Sequence, residues 1–248
     1  MKLLDELLST LPDCEVRDVC LGLHWTAVLV ALNGELRCGL ASTFAPRHHH
    51  SPEPEITQAG QLHTLSALAL AHLALSPGSL QRGIGLAAIN ALLTPRPELW
   101  RDLNAEEVIA SRGAGKRVAL IGSFPFVPQL RARVGELSVL ELDPSDGELP
   151  ADAAPDILPQ ADLIAITSMT LVNHTLDNLL SLCQPQATVL LLGPSTPLSP
   201  VLYRFGIDFL SGSVVTDINS VLAAIKQGAN FRQVHRAGVR LVTMSRDK

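Results

Sequence analysis

Four apolar runs in the second half of the chain each close on small or polar residues: KRVALIG before SFPF, LSVLEL before DPSDGE, ADLIAIT before SMT, and ATVLLLG before PSTPLSP. None alternates apolar with polar positions. Continuous Val/Ile/Leu runs of this length suit strands buried on both faces, as in a parallel sheet covered by helices. Helical pieces near 127–134, 171–183 and 217–227 are interspersed with the strands, and VRLVTM near the end supplies a last edge strand. This alternation predicts an α/β, doubly wound parallel sheet. Its strand carboxyl ends share one edge, where such sheets bind ligands.

The first half has a different texture. Leu3, Leu4, Leu7, Leu8 and Leu11 follow helical spacing, so the chain opens with a short amphipathic helix. WTAVLVAL (Trp25 to Leu32) reads as a strand, Asn33-Gly34 as a hairpin turn, and Glu35 to Leu40 as the return strand of an antiparallel meander. Residues 43–57 (TFAPRHHHSPEPEIT) form a loop. One helix is expected from Gln58 to Leu75, stopped by Ser76-Pro77-Gly78, and a second from Ser79 to Leu93. Gly83, Gly85, Ala87, Ala88 and Ala91 of the second allow close approach to a neighbour. Asn104 with Glu107 resembles a capping box, which places a helix over 105–111.

Composition narrows the function. The 248 residues, 17% of them charged, describe a compact globular chain. A net charge of -5 argues against a nucleic-acid partner. No apolar stretch is long enough to span a membrane. Asp5 and Glu6 interrupt what would be the apolar core of a signal peptide, so a cytoplasmic location is expected. Cys14, Cys20, Cys38 and Cys183 form no C-x-x-C pair and are expected to be reduced thiols.

GIGLAAINALL, VALIGSFPFVPQLR, LELDPSDGELP, TSMTLVNHTLDNLL and LLGPSTPLSPVLYRFGIDFLSG together resemble the family named "putative heavy-metal chelation", over nearly the whole chain. The resemblance implies an N-terminal α+β, enolase-N-terminal-like domain (1–112) followed by a Rossmann-like domain (113–248). It also implies a ligand site in the cleft between them. Enolase activity is not carried over, because the chain is too short for that superfamily's catalytic barrel.

The candidate contacts lie at the strand ends. Gly122-Ser123-Phe124-Pro125 stands where a dinucleotide fold carries G-x-G-x-x-G. Pro125 and Pro128 remove amide donors that would cradle a pyrophosphate, so ordinary NAD or FAD is disfavoured. Ser123 and Phe124 remain ligand candidates. Glu141 ends the second strand, the position of a ribose-binding acid; the alternative is an exposed acid beginning a turn.

Thr167, Ser168 and Thr170 lead into a helix bearing Asn173 and His174. They suit an anion or a metal at the helix start, or simply a cap with a solvent-facing His. Gly193, Pro194 and Ser195 form a rigid polar turn suited either to positioning a ligand or to turning the chain. Asn90, on the small-residue helix, is the polar candidate from the opposing wall. His48, His49 and His50, with His174, are the candidate metal ligands for a transition metal; an internal His run also reads as a solvated surface loop.

Three functions are compatible with this reading. One is binding of a heavy metal or a small metal-chelating anion, another a transferase-type enzyme with a nucleoside cofactor, and the third a non-catalytic interaction module. The expected partners are a small-molecule or metal-chelate ligand and a second copy of the chain as a homodimer.

Overall fold

The computed structural model describes residues 2–44 and 54–246. His48, His49 and His50 lie outside the described residues. Helix α1 (Lys2–Ser9) buries Leu3, Leu4, Leu7 and Leu8, as the leucine spacing requires. Strands β1 (Glu15–Leu21), β2 (Trp25–Leu32) and β3 (Glu35–Ser42) form an antiparallel sheet in that order. Asn33 and Gly34 both have positive φ, 54° and 82°, as a two-residue primed hairpin turn requires. EVRDVCL, the sequence of β1, mixes Glu15, Arg17 and Asp18 with apolar residues and carries no clear alternation; it is an edge strand.

The helix expected over 58–75 is broken. Leu65 is extended and Ser66 caps a shorter helix, α2 (Ala67–His72), by accepting a hydrogen bond from the Ala69 amide. Leu62–Thr64 and Leu73–Leu75 are single 3₁₀ turns on either side. A serine hydroxyl that can bond local backbone favours a helix start over helix interior. Helix α3 (Ser79–Leu92) follows as expected and lies across β2 and β3.

The second half contains α4 (Ala105–Gly113), β4 (Arg117–Ile121), α5 (Val127–Leu130), β5 (Glu136–Glu141), β6 (Leu149–Pro150), α6 (Ala154–Ile157), β7 (Leu163–Thr167), α7 (Met169–Val172), α8 (Leu176–Leu182), β8 (Thr188–Leu192), β9 (Phe209–Val215), α9 (Ile218–Lys226), α10 (Phe231–Gly238) and β10 (Val239–Ser245). Its sheet runs β10-β9-β8-β7-β4-β5-β6. All neighbours are parallel except β9 and β10. Strand β9 escapes sequence reading because Ser-Gly-Ser interrupts FLSGSVV, yet it pairs along its whole length with β10. The 171–183 helix splits at His174, whose φ is 61°. There the Asn173 carboxamide accepts from both the amide and the hydroxyl of Thr175, a local alternative to helical bonding.

One face of the large sheet is covered by α4 and α5, where Val108, Ile109 and Leu130 meet Val118, Leu120, Leu163 and Leu190. The opposite face joins the first half in a single apolar cluster. Leu3, Leu7, Ile84 and Leu92 belong to it together with Ile164, Leu191, Leu202 and Leu210. Among the described residues no helix is long and apolar enough to cross a membrane. All four cysteines are free thiols.

Candidate functional site

The strand order reverses between β4 and β7: the chain adds β5 and β6 on one side of β4, then β7, β8 and β9 on the other. Connections leaving β4 and β7 therefore diverge, and a crevice opens at their carboxyl ends. A cavity of 680 Å³ lies there, within the usual ~300–1,000 Å³ of small-molecule sites. Ser123, Phe124, Glu141, Thr167 and Asn173 line it, so the structure brings together these five candidates from three strand ends. Ser42, the last residue of β3, and Phe44 just beyond it supply the wall from the first half. Thr170, expected with Thr167 and Ser168 at this strand end, also lines it; Asp152, Thr175 and Asn178 line it too and were not singled out from sequence. They lie in connections whose position depends on the crossover, not on any local periodicity.

The polar groups here are partly committed to one another. The Ser123 amide donates to Glu141 Oε1 at 2.6 Å and the Leu142 amide to Oε2 at 2.9 Å. The first-loop amide that would face a pyrophosphate is thus held by the chain's own carboxylate. Hydrogen bonding from the Ser123 side chain and the Ser145 amide holds the Glu148 carboxyl below its usual range. Thr170 Oγ1 donates to the Thr167 carbonyl at 2.6 Å. The lining includes Glu141 and Asp152 and no Lys, Arg or His among the described residues.

Other candidates serve different contacts. Ser168 is buried, its amide donating to the Leu192 carbonyl at 2.7 Å. His174 Nε2 lies 2.9 Å from the Ala74 carbonyl, so its N–H donates across to the first half. Gly193 passes so close to Ser168 that a Cβ would stand 2.8 Å from Ser168 Oγ. Ser195 Oγ accepts from the Ser42 amide at 2.8 Å, and Asn90 Nδ2 donates to the carbonyls of Leu40 and Ser195 at 2.8 and 3.0 Å. The Gly193–Pro194–Ser195 turn and Asn90 therefore fasten the two halves together. Gly193 and Pro194 also line a second cavity of 630 Å³, largely apolar, with Trp25, Phe126 and Phe231. Phe124 lines both cavities and stacks on Phe126, ring centroids 5.1 Å apart. Among the described residues no three His, Cys, Asp or Glu are grouped to hold a metal ion.

The fold and crevice define a two-part α/β protein with a ligand-sized cavity at the edge of its large parallel sheet. By sequence the chain belongs to the DUF364 family, described as "Putative heavy-metal chelation", whose model matches residues 104–244. A second model of the same description, DUF4213, matches residues 4–93. An uncharacterised protein of Methanocaldococcus jannaschii is 27% identical over 86% of this chain and 84% of its own length. A crystal structure of a DUF364 protein of unknown function from Desulfitobacterium hafniense superposes with a TM-score of 0.85 at 27% identity, covering 99% of this chain and 98% of that one. Another from Pyrococcus horikoshii, at 24% identity and a TM-score of 0.79, covers 98% and 99% and shares the fold.

Proposed function

We propose that this protein binds a small polar molecule in the crevice at the ends of β4, β5 and β7, with Ser42 and Phe44 closing it from the first half. The carrying observation is the lining: hydroxyl and amide side chains around two carboxylates, over an apolar floor, with no cationic side chain among the described residues. Carboxylates accept hydrogen bonds and attract positive charge. The best-supported ligand is accordingly neutral or cationic and rich in hydroxyl or amine donors, such as a nucleoside-type cofactor or a cationic metal complex. A free anionic chelator fits this cavity less well. The strand order 3-2-1-4-5-6 of the parallel portion supports reading the second half as Rossmann-like, with the first half as an enolase-N-terminal-like partner. We place the protein's work in the cytoplasm, without nucleic-acid or membrane partners.

Thermal unfolding against nucleosides, methyl-donor nucleosides and cationic metal complexes tests the reading. A ligand at 100 times its Kd adds about 2.7 kcal/mol. Glu141→Gln and Asn173→Ala should reduce that gain. A panel producing no shift would refute the crevice as a site for these ligands.

The second reading is direct metal binding by His48, His49 and His50. The family description and three consecutive imidazoles four to six positions after Phe44, which lines the crevice, support it. Its check is metal content and calorimetric titration with Zn²⁺ or Ni²⁺, before and after the three histidines are changed to Ala. Unchanged stoichiometry in the variant would exclude the loop.

A further inference from the structure

Parallel sheets are covered on both faces, and α4 and α5 cover one face of this one over Val118, Leu120, Leu163 and Leu190. Farther along, the cover stops. Leu192 of β8, Ser211 of β9 and Leu241 of β10 line the 630 Å³ cavity in place of a packed helix. Its other walls are the start of α4, the Phe124–Phe126 loop and the Trp25–Phe231 pair. Phe124, Phe126, Phe231 and Leu241 line the cavity and are each only half-buried, so part of each side chain is open to an occupant. A concave expanse of apolar surface with polar residues at its rim is the form of a ligand site.

The lining gives the occupant's chemistry. Phe124 stacks on Phe126, ring centroids 5.1 Å apart and planes 14° apart, and Trp25 meets Phe231 at 5.4 Å and 46°. An aromatic side chain gains most from a further ring set offset or edge-on, at about 4.5–7 Å between centroids. The polar groups of the lining are committed elsewhere. The Ser211 hydroxyl lies 2.7 Å from that of Thr243, and Asn104 Oδ1 accepts from the Glu107 amide at 2.9 Å. Glu106, the only charged lining residue among the described residues, is paired with Arg133 at 3.2 Å. A charged occupant would find no free counter-charge, and burying an unpaired charge is costly. The volume suits one small molecule.

We propose that this cavity is a second ligand site, for a neutral, flat, ring-bearing molecule held against the two aromatic pairs. Its chemistry is the opposite of the crevice's, where hydroxyls, amides and carboxylates line the walls. The proposal does not rest on the crevice ligand. Among the described residues Phe124 is the one that lines both cavities, so the two sites share a single side chain as their common wall.

The experiment titrates the complete ¹⁵N-labelled chain with phenol, indole and 1-naphthol and reads the Trp25 indole N–H. The chain has two tryptophans, and Trp100 does not line this cavity, so the signal left in Trp100→Phe is that of Trp25. Cyclohexanol, which lacks the π face of phenol, and the ions 1-naphthoate and 1-naphthylmethylammonium are comparison arms. The expected result is a saturable shift with the neutral aromatics, weaker binding of cyclohexanol than of phenol, and both ions at least about tenfold weaker than 1-naphthol. Phe231→Leu keeps apolar bulk but removes a ring, and should weaken 1-naphthol about two- to tenfold. Ala105→Phe fills the cavity from the first turn of α4 and should abolish the shift; if that variant does not fold, Phe231→Leu carries the test. The proposal is overturned by no saturable shift up to about 1 mM of any neutral aromatic, by cyclohexanol binding as tightly as phenol, by either ion binding as tightly as 1-naphthol, or by a shift undiminished in Phe231→Leu. A Trp25 signal that moves with protein concentration instead would give the pocket to a second copy of the chain and overturn it too. Trp25 does not line the crevice, so failure here leaves the crevice reading standing.

Discussion

Gly39 and Gly85 set how closely α3 approaches its neighbours. A Cβ on Gly39 would stand 2.1 Å from the Ala87 carbonyl oxygen, and one on Gly85 would stand 1.9 Å from the Ala74 amide nitrogen. Both obstacles are backbone, so a methyl group there moves a whole element. Gly85→Ala should cost at least about 1–3 kcal/mol, read as a lower urea midpoint with an unchanged slope. Two half-buried thiols make a pH-dependent contribution. Burial pushes Cys38 up to about 12 and Cys183 to about 11. In the unfolded chain a thiol ionises near ~8.5. Below that pH both states keep the proton and the contribution is intact. As pH rises toward 11 and above, the unfolded chain releases protons that the folded chain retains, and stability falls. The urea midpoint should therefore drop between about pH 8.5 and 11, and drop less in Cys38→Ala/Cys183→Ala.

At the scale of elements, the helix starts follow their caps. Asn104 accepts from the Glu107 amide at 2.9 Å and starts α4, and Asp217 accepts from the Ser220 amide at 3.1 Å and starts α9. The Ser220 amide also lowers the Asp217 carboxyl below its usual range. Asn104→Ala should cost about 1 kcal/mol by equilibrium unfolding. The four apolar runs became β4, β5, β7 and β8, and the Asn33-Gly34 hairpin formed in register, with Leu32 opposite Glu35. These elements were legible because burial on two faces, or a turn needing two positive φ angles, leaves a local mark. Strand β9 and helix α10 left little. The helix α10 has one buried residue, Val234, in a polar sequence, and owes its start to a capping box between Asn230 and Gln233.

At the scale of the molecule, one apolar cluster runs from α1 and α3 through to β7, β8 and β9. Neither half buries its own side of that cluster alone. Unfolding by scanning calorimetry should therefore show one transition, with calorimetric and van't Hoff enthalpies in agreement. Two resolved transitions would mean that the seam contributes little. Ser195→Ala should lower the temperature of that single transition, because the half-buried Ser42 amide loses its acceptor.

The sequence by itself determined the strands, the hairpin, most helix starts and the sheet edge at which a ligand site belongs. It also placed Ser123, Glu141 and Thr167 at the ends of their strands and Asn173 in the helical connection that follows. Only the tertiary structure decided what those side chains face. Glu141 turns to the Ser123 amide, His174 reaches Ala74, and Ser195 meets Ser42, 153 positions away. Periodicity records how much of a segment is buried, which neighbouring residues alone can encode. It does not record against what, because hydrogen-bond partners and cavity walls are assembled from segments whose meeting is set by strand order and by packing across the whole core.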